Sequence, residues 1–187
     1  MAASERIVLG SGKLYCVEGT KTDGVYTIPA DNVLEDDDNL LGYIQGGATI
    51  EYTPEFYTAK DDLGVVQKKF ITNEEVKLTS GIMTWNTAVL KKLVSTGVTT
   101  TETGKAKLKV GGVENFVNTQ YVLRFVHHDA IDGDIRITIV GSNEAGFSVA
   151  FQKDQETVVN AEFLATPQDK AGTLLIIEFD DPESVSE

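Results

Sequence analysis

The chain has 187 residues, with 16 Lys+Arg against 29 Asp+Glu, a formal net charge of −13. That length suits one domain with a core large enough to need no staples, and the single cysteine, Cys16, cannot form an internal disulfide. An apolar fraction of 41% excludes global disorder, no run approaches the roughly 20 apolar residues of a membrane span, and the negative charge opposes tight binding of phosphate by the molecule as a whole.

Taken in chain order, the sequence predicts a mainly β protein, an antiparallel β-sandwich or partial barrel flanked by one helix and carrying a long arm. Residues 1–6 carry no apolar h-region, so synthesis and folding in a cytoplasm are expected. Cys16 reads as a small hydrophobe on a strand. A short helical turn is expected after Pro29, around residues 31–34. Ala48, Ile50 and Tyr52 alternate with Thr49, Glu51 and Thr53, the pattern of a half-buried strand with one wet face. Residues 56–70 are charged and contain glycine, and read as a long hairpin arm or exposed loop. Val76 and Leu78 mark a strand over 74–83. Trp85, Val89, Leu90, Leu93 and Val94 fall on one stripe and predict a helix over 84–95. Thr84 or Asn86 serves as its cap, Gly97 closes it, and Trp85 plugs it onto the sandwich.

Residues 95–103 are Thr-rich and read as a flexible loop. Strands are then expected over 105–110, 121–126, 135–140, 147–151, 159–165 and 173–177. Two of these, 121–126 and 173–177, are apolar on both faces and so look central or covered. Gly-rich and Asp-rich turns separate the runs. Residues 1–179 are read as one β-sandwich domain and 180–187 as an acidic, flexible C-terminal tail.

Motifs for chemistry are sparse. His127-His128-Asp129 is the one histidine cluster, and adjacent strand residues point to opposite faces, which opposes a shared metal or a triad. Asp36-Asp37-Asp38 lacks the spaced register of a calcium loop. Asp132-Gly133-Asp134 is a turn signal. No Walker A loop, GxGxxG, GxSxG or HExxH occurs. Neither cofactor nor metal is expected, and no enzyme.

The residues carry a diffuse family resemblance. Leu40-Leu41-Gly42-Tyr43-Ile44-Gln45-Gly46-Gly47-Ala48-Thr49-Ile50-Glu51-Tyr52 leads through Gly-Gly to a strand ending Glu-Tyr. A charged arm follows, then the 74–83 strand and the Trp85 helix. Later come Lys153-Asp154, Phe163-Leu164-Ala165-Thr166 and the closing run Gly172-Thr173-Leu174-Leu175-Ile176-Ile177-Glu178. Over 40–178 this order resembles the major tail tube proteins of tailed bacteriophages and phage-like particles. The resemblance implies a β-sandwich flanked by a helix, assembling as hexameric rings that stack into a hollow tube. Its implied partners are further copies of itself, a tape measure protein, a tail terminator, baseplate or tail tip proteins, and a sheath if the tail contracts. It implies a place in the virion tail, assembled in the bacterial cytoplasm, with DNA passing through the lumen unbound and with no membrane. The family has no catalytic residues to carry over.

The charge is unevenly placed. Residues 1–59 carry 3 basic and 10 acidic side chains, 60–109 carry 9 and 5, and 110–187 carry 4 and 14. The stretches 31–38 and 178–187 each contribute −5. In a tube, Thr49, Glu51 and Thr53 are candidates for a lumen-facing polar strand. Candidate ring-stacking contacts are Asp36, Asp37, Asp38, Lys60, Asp61, Asp62, Lys68, Lys69, Lys105, Lys107 and Lys109, the acidic flank of one ring meeting the basic segment of the next. The alternative reading is a β-sandwich binding module, for carbohydrate or adhesion, with Tyr52, Phe56 and Tyr57 as candidate aromatics. A small β-sandwich hydrolase is a third.

Overall fold

A computed structural model describes residues 8, 10–65, 67–130, 132–151, 153, 154 and 156–180. The predicted 180–187 tail therefore lies outside the described residues, except for Asp180. The chain is mainly antiparallel β. Eleven strands are described: β1 Lys13–Glu18, β2 Thr20–Thr22, β3 Val25–Thr27, β4 Ile44–Lys60, β5 Gln67–Ile82, β6 Gly97–Glu102, β7 Lys105–Val110, β8 Tyr121–His127, β9 Ile135–Asn143, β10 Val159–Ala165 and β11 Leu175–Phe179. Two short helices, α1 Asp31–Leu34 and α2 Thr87–Lys92, join them.

The main sheet runs β1-β8-β9-β10-β5-β4, every pair antiparallel, and it forks at β9. One edge of β9 pairs with β8. Its other edge pairs first with β11, from Ile135 to Ile139, and then with β10, from Gly141 to Asn143. Gly141 stands at the changeover, where a Cβ would lie 2.1 Å from the Leu164 carbonyl oxygen, so only glycine lets the two backbones approach. The halves on either side of the fork fold over one another. Leu14, Cys16, Leu123, Phe125 and Ile139 from one half meet Val76, Leu78, Ile82, Val159, Ala161 and Phe163 from the other, with Val89 and Leu93 of the α2 segment in the same core. The sheet does not close into a barrel. Leu40 bridges to Tyr15 along β1 before the chain turns into β4.

Residues 121–126 were expected to be covered on both faces, and they are. The face of β1-β8-β9 opposite the main core carries Tyr15, Val122, Val126 and Val140, beneath Leu34 of α1 and Ile28. The helical turn expected at 31–34 is α1. The arm is a hairpin: β4 and β5 pair from Ile44 with Ile82 out to Lys60 with Gln67.

Five expectations need correction. The helix predicted over 84–95 is only Thr87–Lys92. Asn86 caps it, its Oδ1 accepting from the Val89 N–H at 2.7 Å, and Leu93 follows as the C-cap. Trp85 precedes that cap and is 41% exposed outside the core, packed against Phe151 at 5.5 Å between ring centroids with the rings tilted by 34°. Residues 95–103 are not a loop throughout, since β6 pairs with β7 from Gly97–Val110 to Glu102–Lys105. Residues 147–151 form no strand among the described residues, although their polarity alternates. The closing strand begins at Leu175 and reaches Phe179, two residues beyond its predicted bounds, and it is not covered on both faces: among the described residues it pairs with β9 alone, and Ile177 is 48% exposed.

Candidate functional site

The most distinctive surface is the far part of the β4–β5 hairpin. Near the body, Ile50, Val76 and Leu78 point into the core. Beyond Tyr52 the ribbon leaves the body, and its side chains are exposed on both faces. Phe56 faces Ile71 across one face, and Tyr57 faces Phe70 across the other. Leu63 and Val65 in the end loop are 86% and 79% exposed. Lysines partly cover the aromatics: the Lys69 ammonium lies 3.8 Å from the Phe56 ring centre and that of Lys68 4.9 Å from Phe70. The outer edge of β4 pairs with no strand among the described residues.

Two breaks in register fix this ribbon. Gly46 and Gly47, at φ 80° and 75°, bulge between Gln45 and Ala48, and Ser80 Oγ donates to the Gly47 carbonyl at 3.0 Å. The second break leaves Thr72 extra between the pairs Glu55–Asn73 and Phe56–Ile71, and its hydroxyl donates to the Glu55 carbonyl at 3.3 Å.

Thr49, Glu51 and Thr53 are brought together on the face of β4 turned away from the core, opposite Thr79, Lys77 and Glu75 of β5. Lys77 reaches Glu75 at 3.1 Å and Glu162 of β10 at 3.5 Å, so the wet face is a continuous polar strip across three strands. The hydrogen bond to Glu75, helped by both carboxylates, holds the Lys77 ammonium above its ordinary pKa. At the ribbon's root, the Tyr52 hydroxyl donates to Glu74 at 2.6 Å, which raises the phenol's pKa.

The candidate stacking residues fall into three groups on separate elements. Lys60, Asp61, Asp62, Lys68 and Lys69 gather at the far end of the arm. Lys105, Lys107 and Lys109 line one face of β7 opposite Glu102, Thr100 and Val98, and Lys107 pairs with Glu102 at 2.5 Å. Asp36, Asp37 and Asp38 lie beside β1, at the other end of the strand order. Asp37 pairs with Lys13 at 3.2 Å, and Asp36 caps its own turn by accepting from the Asp38 N–H at 2.9 Å.

The sequence reading missed a network of charge within the molecule. Arg124 is 3% exposed in the middle of β8, flanked by Val122, Leu123, Phe125 and Val126. Its guanidinium pairs with Asp31, with Glu35 at 3.2 Å and with Glu178 at 3.4 Å, and donates to Thr138 Oγ1 at 2.9 Å. Arg136 meets Glu35 at 2.7 Å, Asp180 at 2.6 Å and Asp134 at 3.2 Å. Burial opposes the charge of Arg136, but the carboxylates of Asp180 and Glu35 outweigh it and raise its pKa further. Two arginines thus hold acids from 31–38 and 178–187 that read as free charge in the sequence. The available signal was an arginine inside an apolar strand, which must find carboxylates.

His127 and His128 do point to opposite faces. His127 is buried, its Nδ1 on the Ser11 carbonyl at 2.8 Å, while His128 is exposed and meets Asp134 at 2.5 Å. A cleft of about 850 Å³ opens between the end of α2, β6 and residues 114–119. Its walls include Val94, Val98, Phe116 and Val117. No protein-family model matches the chain, and no curated protein is detectably similar to it.

Proposed function

We propose that this chain is the structural subunit of a hollow tail tube, of a phage or phage-like particle. Copies join head to tail into hexameric rings, and the rings stack into a tube through which DNA passes unbound. The observation that carries this reading is the β4–β5 ribbon. A two-stranded ribbon is marginal in water by itself, and this one exposes aromatic and aliphatic side chains on both faces. Another copy offers a surface against which those side chains can be buried, and the 17-residue β4 has an edge unpaired among the described residues that invites another strand. A head-to-tail contact that closes makes a ring, and a second contact that does not close makes a stack.

The polar strip through Thr49, Glu51 and Thr53 suits a wet channel wall on this reading, because carboxylates there keep phosphates from adhering. The tape measure protein, tail terminator, baseplate or tail tip proteins and a sheath are the partners such a tube requires. Negative-stain microscopy of the purified full chain tests the reading. Six-fold rings or hollow tubes are the expected result, and a monomer at every concentration overturns it.

One observation favours a second reading, a β-sandwich binding module. Trp85, packed against the tilted ring of Phe151 and donating from Nε1 to the Thr157 carbonyl at 3.2 Å, is a part-exposed aromatic platform. Glycan binding by a monomer, abolished by Trp85→Ala, is the result that selects it.

A further inference from the structure

The ribbon's exposed apolar surface needs a seat, and one surface of the body fits it. The cleft beside α2 has a mixed lining: Val94, Val98, Phe116, Val117 and Tyr121 stand among polar residues, with Phe116 and Val117 largely exposed. Strand β6 contributes Gly97, Val98 and Thr99 to the wall. It belongs to a two-stranded sheet, so it has one edge unpaired among the described residues. Apolar side chains set among polar ones beside an open strand edge suit an incoming ribbon that carries both aromatics and lysines: side chains meet the wall while backbone groups pair along the edge.

We infer that the far end of the arm of one subunit lies in this cleft of a second copy. The inference rests on the self-assembly proposed above and names the surface that receives the arm. Charge agrees in sign. Glu18, Glu114 and Glu144 stand in the cleft wall, and the arm brings Lys60, Lys68 and Lys69. Lys91 of the wall answers Asp61 and Asp62 of the end loop, and the Lys92 ammonium is already held by the Cys16 carbonyl at 2.7 Å. Reach also agrees. The nine β4 residues from 52 to 60 extend roughly 30 Å, at about 3.3 Å per residue, which spans much of a body this size. Aromatic anchors such as Tyr57 and Phe70 are the residue types that dominate a contact of this kind.

Disulfide capture tests it in the full-length chain carrying Leu63→Cys and Val117→Cys. Both positions are exposed, so the fold tolerates the change. Cys16 does not compete, because burial pushes its thiol up to about 12, only partly offset by the charge of Lys92. Under assembly conditions, oxidation is expected to give a ladder of covalent oligomers. The same arm variant paired with Val25→Cys, on the β2–β3 hairpin, is expected to give none. Tubes that form without the 63–117 ladder overturn the inference and leave the tube reading intact. A fast-migrating 63–117 monomer means the arm occupies its own cleft, and also overturns it. A strict monomer overturns the tube reading and the inference together. As a second measure, Phe116→Glu is expected to slow tube growth at least tenfold while leaving the chain folded by circular dichroism, and growth at the original rate counts against the seat.

Discussion

Arg124 occupies the one position on β8 where an apolar side chain would have left Asp31, Glu35 and Glu178 without their common partner. The three acids are not equivalent. Glu35 is mostly buried and shared with Arg136, whereas Asp31 and Glu178 are at least half exposed. Arg124→Ala is therefore expected to lower stability by about 3 kcal/mol, the low end for breaking a buried pair, because Glu35 keeps Arg136. Asp31→Asn is expected to cost less than about 1 kcal/mol, since solvent already screens that carboxylate. Urea denaturation of the two variants checks this, and equal losses would show that the exposed acid matters as much as the buried guanidinium. None of the pairing was legible in the sequence. Residues 31 and 124 lie far apart in the chain, and nothing in periodicity says which acids an isolated arginine will find.

At the scale of elements, α2 is short enough for its cap to matter. Its six residues leave few internal hydrogen bonds, and Asn86 satisfies the Val89 N–H. Asn86→Ala is expected to destabilise the chain by about 1 kcal/mol and Asn86→Ser by far less, measured by thermal or chemical unfolding. Strands with clear alternation, such as Ile135, Ile137 and Ile139 in β9, were legible, as were the doubly covered β8 and the arm. Strand β6 was not, because Val98-Thr99-Thr100-Thr101 shows no contrast between its faces and borrows its order from β7. Residues 147–151 misled for the converse reason: alternation without a neighbouring strand to pair with makes no strand. The Asp23-Gly24 turn that joins β2 to β3 carries a hairpin signal readable in the sequence. The helix stripe over 84–95 overran because Trp85 and Val94 share its spacing but lie outside its capped turns. For the candidate surfaces, the grouping of Thr49, Glu51 and Thr53 followed from period two. The cleft did not, because its walls come from segments that meet only in the fold.

For the whole molecule, the structure redirects the role of charge. The sequence suggested an acidic flank meeting a basic segment of another copy. Much of that flank is engaged internally: Asp31 and Glu35 by the arginines, Asp37 by Lys13, and Asp36 by its own turn. What approaching subunits then meet first is a net charge of −13 on each. Raising salt from about 20 mM to about 150 mM shortens the Debye length from roughly 20 Å to 8 Å, and is expected to speed assembly by relieving this repulsion. Light scattering during assembly reads the effect. Slower growth at the higher salt would restore attraction between unlike patches as the driver.

The two register breaks in the ribbon have a mechanical consequence. A hairpin pinned at Gly46-Gly47 and again at Thr72 cannot slide strand past strand, so its length is set by residue count alone. Removing one residue from each strand between the breaks would shorten it by about 3 Å and turn the next side chains to the wrong side, whereas removing two from each would shorten it by about 7 Å with both sides kept. The arm is thus a ruler with even-numbered divisions. Whatever holds its tip sits at a distance from the body that only paired insertions or deletions can adjust.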